Sequence, residues 1–107
     1  VSINEPGVRV TPKTDYLVIP REELEKPYRV IIENDDLTPM EFVVAVLQTF
    51  FRLNLEQAIE VMLKAHHEGK AYVTTLPLRE AQERVYAAHS LAHSAGYPLT
   101  FHLEPEA

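Results

Sequence analysis

The sequence predicts an α+β domain of the α/β-sandwich kind, a small three-stranded sheet packed on three helices in the order β-α-α-β-α-β. Three observations carry that prediction. Short runs rich in β-branched and other apolar residues recur at 28–33, 71–76 and 99–103. Between them lie segments whose apolar residues return every three or four positions, the helical period. Thr, Asn, Pro and Gly stand at the borders of those segments, where helices start and stop.

Residues 1–27 hold four of the eight prolines, Pro6, Pro12, Pro20 and Pro27. Within them Tyr16, Leu17, Val18 and Ile19 form a strand-like run that Pro20 cuts short, a patch suited to docking on the domain. The following REELEK is a solvated turn of helix or a linker. The segment is expected to be a mostly irregular arm, with the core domain spanning 28–107. YRVIIE, 28–33, is the first strand, opened by Pro27. Thr38, Pro39 and Glu41 match a capping box with proline at the first helical position. The helix they start should run to about Phe51, with Val43, Val46, Leu47 and Phe50 on one apolar face.

Asn54 is placed to cap a second helix, with Leu55, Ala58, Ile59, Met62 and His66 along its inner face and Gly69 as its stop. AYVTTL, 71–76, is the second strand. Pro77 opens a third helix, with Leu78, Ala81, Val85 and Ala88 turned inward and Gly96 ending it. LTFHL, 99–103, alternates apolar and polar residues, the mark of a strand with one buried face. There is no internal repeat and no low-complexity tract.

At 107 residues with 46% apolar content, the chain can fill one core. It has no cysteine, so neither disulfides nor thiolate metal sites hold it together. A net charge of −6 argues against a binder of nucleic-acid backbones, which needs a basic face, and favours a cationic ligand. No apolar run approaches the ~18 residues that a membrane helix requires, and no signal-peptide pattern opens the chain.

Three consecutive acceptors, Asn34, Asp35 and Asp36, separate the first strand from the first helix. Counted alone, they are ordinary turn formers whose side chains bond nearby backbone N–H groups. Yet Thr38 already offers a capping oxygen, so the turn does not need all three. His66 poses a similar choice. A histidine on an apolar helical face is commonly a satisfied core residue, and near a helix C-terminus it suits the dipole. It still needs a partner, because burying it unpaired would cost about 1–3 kcal/mol. An ammonium group could serve it and the acidic turn together. Two other chemistries stay open on these residues. His89 and His93, at i and i+4, have metal-ligand spacing, but no carboxylate or cysteine completes a set nearby. Asp35 or Asp36 with His66 could act as an acid–base pair, but no nucleophile, phosphate loop or metal motif accompanies them.

The strings PYRVIIENDDLTPMEFVVAVLQTFF and AIEVMLKAHHEGKA resemble the ClpS family, adaptors of the bacterial Clp protease. The resemblance runs from about Pro27 to Glu104 and rests on NDD-x-TPMEFV and ML-x-x-H-x-x-G at matching separation. It implies a three-stranded antiparallel sheet on three helices, like the C-terminal domain of the ribosomal stalk protein. It further implies a monomeric, non-enzymatic adaptor in the bacterial cytoplasm, without cofactor, metal, nucleic acid or membrane partner. Such an adaptor binds N-degrons that begin with Leu, Phe, Tyr or Trp and delivers them to a ClpA- or ClpC-type AAA+ unfoldase. The alternative is a related peptide-binding domain that uses the same pocket without a role in degradation.

Carried over by position, Asn34, Asp36 and His66 would hold the substrate's α-ammonium, with Asp35 shaping the rim. Ile32, Thr38, Met40, Val43, Met62, Ala65 and Leu99 would form the side-chain pocket, Met40 gating its mouth against β-branched guests. The resemblance also implies unfoldase docking near the start of the third helix, at Arg79 and Arg84, and engagement of the N-terminal arm during delivery. The chain departs from the family pattern at Ala65, where a larger aliphatic residue is common, and at Arg79, where an acidic one is. Glu33 and Leu37 replace apolar and aromatic rim residues, and Val73, Thr74, Thr75 and Leu76 replace the usual second-strand string.

Overall fold

The computed structural model describes residues 18–107. Its elements are α1 (Arg21–Leu24), β1 (Pro27–Glu33), α2 (Met40–Phe51), α3 (Leu55–Glu68), β2 (Lys70–Pro77), α4 (Leu78–Ala95) and β3 (Thr100–Pro105). The predicted β-α-α-β-α-β order therefore stands, preceded by one extra helical turn. The sheet has the order β2-β1-β3, and both pairings are antiparallel. Among the described residues, no helix is long and apolar enough to cross a membrane.

The central position of β1 follows from its composition. Val30, Ile31 and Ile32 are all buried, Val30 and Ile32 beneath the helices and Ile31 between the two flanking strands. Val30 and Ile32 face the helices and join Val46, Leu47, Phe51, Val73 and Phe101 in the core. Leu47 and Val30 are wholly inaccessible, and full burial of such a side chain contributes about 1.5–3 kcal/mol. The rings of Phe51 and Phe101, centroids 5.0 Å apart, lock the end of α2 onto β3.

A register shift between Val30 and Ile31 inserts an extra residue of β2 at Val73. The bulge brings Tyr72 and Thr75 to the same face despite their odd spacing, and their hydroxyls bond at 2.6 Å.

Several expectations need correction. Thr38 does not cap α2. Pro39 is the N-cap residue, no side chain bonds the first turn, and the Thr38 hydroxyl donates instead to Asp35. In α3 the capping signal is real, with Asn54 and Gln57 forming a reciprocal capping box. Of its expected inner face, Ala58 and Met62 are buried as read, but Leu55, Ile59 and His66 are not. Ala65 is buried with the first two, whereas Leu55 and Ile59 are 56% and 38% exposed. The helix carries two apolar stripes, and the alanine-bearing one wins because short side chains let the helix approach the sheet closely. Gly69 ends α3 at φ 93°, a conformation that other residues adopt only at a cost.

REELEK contains a true helical turn tied to the domain. Glu23 accepts a hydrogen bond from the Tyr28 hydroxyl and pairs with Lys26 at 3.2 Å, while the Lys26 carbonyl accepts from Leu78 N–H at 2.9 Å. In the expected strand-like run, Val18 and Ile19 belong to no strand, and Tyr16 and Leu17 lie outside the described residues. Most of the arm read at 1–27 lies outside them too.

Of the His89 and His93 pair, His89 has a structural use. His89 Nε2 accepts the N–H of Phe101 at 2.9 Å, satisfying a donor on the edge strand β3. Among the described residues, no group of three or more His, Cys, Asp or Glu is placed to hold a metal. Burial holds the His89 imidazole below its ordinary pKa of 6.5, and protonating Nε2 would forfeit the bond. Because the folded value is the lower one, this contribution is complete above pH 6.5 and is lost as pH falls through the folded pKa. His89→Gln, which keeps an acceptor but cannot titrate, should therefore lose less stability on acidification than the unaltered protein. Denaturant midpoints on both sides of that window test this, and parallel curves would contradict it.

Candidate functional site

The site lies at the C-terminal end of β1, where the chain turns into α2 and α3 passes behind. A cavity of about 150 Å³ opens there, lined by Ile32, Glu33, Asn34, Asp35, Asp36, Thr38, Met40, Val43, Met62, Ala65, His66 and Leu99. Every residue that the sequence assigned to the ammonium group or to the apolar pocket is thus on one lining. Arg79 and Arg84, assigned to docking, are not part of it.

The turn after β1 is built by one side chain. Asp35 accepts from the backbone N–H groups of Leu37 at 2.8 Å and Thr38 at 2.7 Å, and from the Thr38 hydroxyl at 2.9 Å. This is the Asx-turn behaviour that makes aspartate a turn former. Asn34 is fixed from behind, its N–H donating to the Gly69 carbonyl at 2.9 Å. The first side of the turn is therefore anchored where α3 becomes β2. Among the described residues, the side chains of Asn34 and Asp36 make no hydrogen bond, and both are exposed at the cavity.

The triplet divides into a turn former and two residues free of the turn. Asp35 is consumed by the turn. Asn34 and Asp36 are held out with their acceptors unspent.

The apolar wall comes from the core. Ile32, Val43, Met62, Ala65 and Leu99 are all buried, and each also borders the cavity. Met62 and Ala65 belong to the close-packed stripe of α3, so the approach of that helix sets the depth of the hollow. Met40 is 45% exposed at the first residue of α2. His66, one position beyond Ala65, is exposed at the rim rather than inside the core, its ring edge-on to His67 at 5.3 Å. The anticipated burial of His66 is thus corrected; the helix turns its ring toward the opening, alongside the carboxylates.

Glu33 was the lining residue without an assigned role. Strand alternation turns it away from the core, but it is the last residue of β1, so its side chain still reaches the cavity edge. Its carboxylate lies 2.6 Å from His102 Nδ1, across the neighbouring strand. Pairing between β1 and β3 made that contact, and no sequence pattern announces it.

An apolar hollow bordered by a carboxylate, an amide oxygen and an imidazole can accept a group that is cationic at one end and apolar at the other. An α-ammonium has three donors and a charge, and charge-assisted bonds to such acceptors are the strong ones.

Comparison with known proteins points to one family. The family model described as ATP-dependent Clp protease adaptor protein ClpS matches residues 23–102. A ClpS adapter of Leptothrix cholodnii is 46% identical over 84 residues, covering 78% of this chain and 73% of the relative. One from Desulforapulum autotrophicum is 38% identical over 106 residues, covering 99% and 100%. Among solved structures, Agrobacterium tumefaciens ClpS2 bound to L-phenylalaninamide superposes with a TM-score of 0.73 at 40% identity. The match covers 77% of this chain and 99% of that one.

The division of labour in the turn is testable by stability alone. Asp35→Ala removes three hydrogen bonds and should lower the unfolding free energy by about 1–2 kcal/mol. Asp36→Ala, on the exposed rim, should stay within about 0.5 kcal/mol of the unaltered protein. Denaturant unfolding of the two variants checks both, and the reverse order would refute the assignment.

Proposed function

This chain belongs to the ClpS family of ATP-dependent Clp protease adaptors, and on that premise we propose that its cavity captures the first residue of N-degron substrates. The carrying observation is the joining of an apolar hollow to unspent acceptors at one rim. Asn34, Asp36 and His66 hold the α-ammonium, while Asp35 keeps their loop in place. The side chain of a leading Leu, Phe, Tyr or Trp enters the hollow bounded by Ile32, Thr38, Met40, Val43, Met62, Ala65 and Leu99. The size is appropriate: in another protein, an apolar cavity of about 150 Å³ takes up benzene. The L-phenylalaninamide bound by the Agrobacterium tumefaciens relative carries a free amine and a phenyl ring, which supports this reading.

Ala65 keeps the floor open, since a larger aliphatic side chain there would fill part of the hollow. Met40 and Met62 supply adaptable walls for aliphatic and aromatic guests alike. Met40, at the mouth, would stand against Ile and Val, which are wide near Cα.

The protein acts as an adaptor rather than as a catalyst, handing its substrate to a ClpA- or ClpC-type unfoldase as a monomer in the bacterial cytoplasm. The start of α4 is the proposed docking end. Arg79 is exposed there, whereas Arg84 pairs with Glu80 at 3.0 Å and donates to the Phe50 carbonyl at 3.0 Å, so it holds α4 against the end of α2. The N-terminal arm, read as 1–27, would be engaged by the unfoldase during delivery.

A peptide that begins with Phe or Leu should bind, and its N-acetylated form should bind at least about tenfold more weakly, because charge-assisted bonds are lost. Asp36→Ala should produce a similar loss. Equal affinity for the acetylated peptide would sink the ammonium reading. Removing residues 1–17 should leave peptide affinity unchanged yet slow degradation by the cognate unfoldase; undiminished degradation would refute the role of the arm.

A further inference from the structure

Four charged side chains cross the solvent-facing side of the sheet and end at the cavity. Arg29, Ile31 and Glu33 alternate along β1, and Thr100, His102 and Glu104 lie opposite them on β3. Glu33 Oε2 is 2.6 Å from His102 Nδ1, and His102 Nε2 is 2.9 Å from Glu104 Oε2. Glu104 continues to Arg29 at 3.4 Å, and the Arg29 guanidinium sits 5.0 Å from the ring centroid of Tyr72. From β2, Lys70 stands opposite Glu33, and Lys64 and Glu68 of α3 border the shallow hollow beside Arg29 and Glu104. The two carboxylates that flank His102 are the only groups among the described residues that hydrogen-bond its ring.

We propose that His102 is a positioning residue for the binding site, setting the net charge that Glu33 presents at the rim. This inference rests on the reading of the cavity as an ammonium site. Protonated His102 pairs with Glu33 and cancels its field at the cavity. Neutral His102 withdraws one positive charge from beside the Glu33 carboxylate, whose other cationic neighbour Lys70 is unchanged, and that carboxylate is 47% exposed on the lining of the site. A peptide whose first amine is cationic therefore meets one more unit of negative charge once His102 has lost its proton. The hydrogen bonds to Glu104 and Glu33 raise the His102 pKa above its ordinary value of 6.5. Grip on the peptide then tightens as pH rises through that titration. By linkage, bound peptide must lower the pKa of His102.

His102→Gln supplies the test, because glutamine can still bond both carboxylates but carries no charge. Affinity for a Phe-initiated peptide is measured for both proteins at pH values below and above the His102 titration, which NMR locates. Every other pH-responsive group is the same in both proteins, so its effect cancels in the ratio. The variant should bind about two- to fivefold more tightly than the unaltered protein at the acidic end, as for a screened pair, and equally at the basic end. The NMR titration of His102 should move to lower pH when peptide is added, and Glu33→Gln should abolish that movement. A constant affinity ratio across the range, or a His102 titration unmoved by bound peptide, would overturn the coupling while leaving the site intact. Failure of the unaltered protein to bind the peptide at any pH would overturn the site and the coupling together.

Discussion

The binding end of this protein depends on Asp35. One carboxylate holds three donors of the chain that follows it, so the link from β1 to α2 has a fixed path rather than a family of loops. Without that path, Asn34 and Asp36 would be two more flexible turn residues, free to bond their own backbone. With it, and with Asn34 N–H anchored on Gly69, they are held as unspent acceptors facing a hollow. The ordering entropy is met by folding and need not be supplied when a ligand arrives, which is the physical content of preorganisation.

The same economy governs the apolar half. Val43, Met62, Ala65 and Leu99 are members of the hydrophobic core and also walls of the cavity. Their rotamers are fixed by packing on their far sides, so the hollow inherits the rigidity of a close-packed interior. Small side chains at 58 and 65 let α3 pack against the sheet, and Ala65 leaves room for the hollow beside Met62. Arg84 adds a distant support by bonding the last turn of α2 and fastening it to α4.

Two histidines show how environment sorts one residue type into opposite behaviours. His89 is half-buried against Phe101 and is pushed toward its neutral form, in which it can accept from the strand edge. His102 lies between two carboxylates and is pushed toward its charged form. The first choice serves the fold. The second carries the charge state of the open sheet face to the edge of the site, because β1 belongs to both.

What the sequence determined by itself was local: the strands from their β-branched runs, the helix starts at Asn54 and Pro77, the stops at Gly69 and Gly96, and the motif residues that carry the family resemblance. These signals survive because propensity and capping act over a few neighbouring residues. The choices that sequence could not make were those between equivalent local options. Thr38 looked like a cap, but Asp35 took its hydroxyl, since only the folded turn brings the two together. Leu55 and Ile59 looked like core, but a competing stripe on the same helix packed more closely. Glu33 had no visible role because its partner His102 is 69 positions away and becomes a neighbour only through antiparallel pairing of β1 with β3. Tertiary structure decided the last two because each turns on contacts distant in sequence, whereas Thr38 was a contest between two local patterns, a helix cap and an Asx turn.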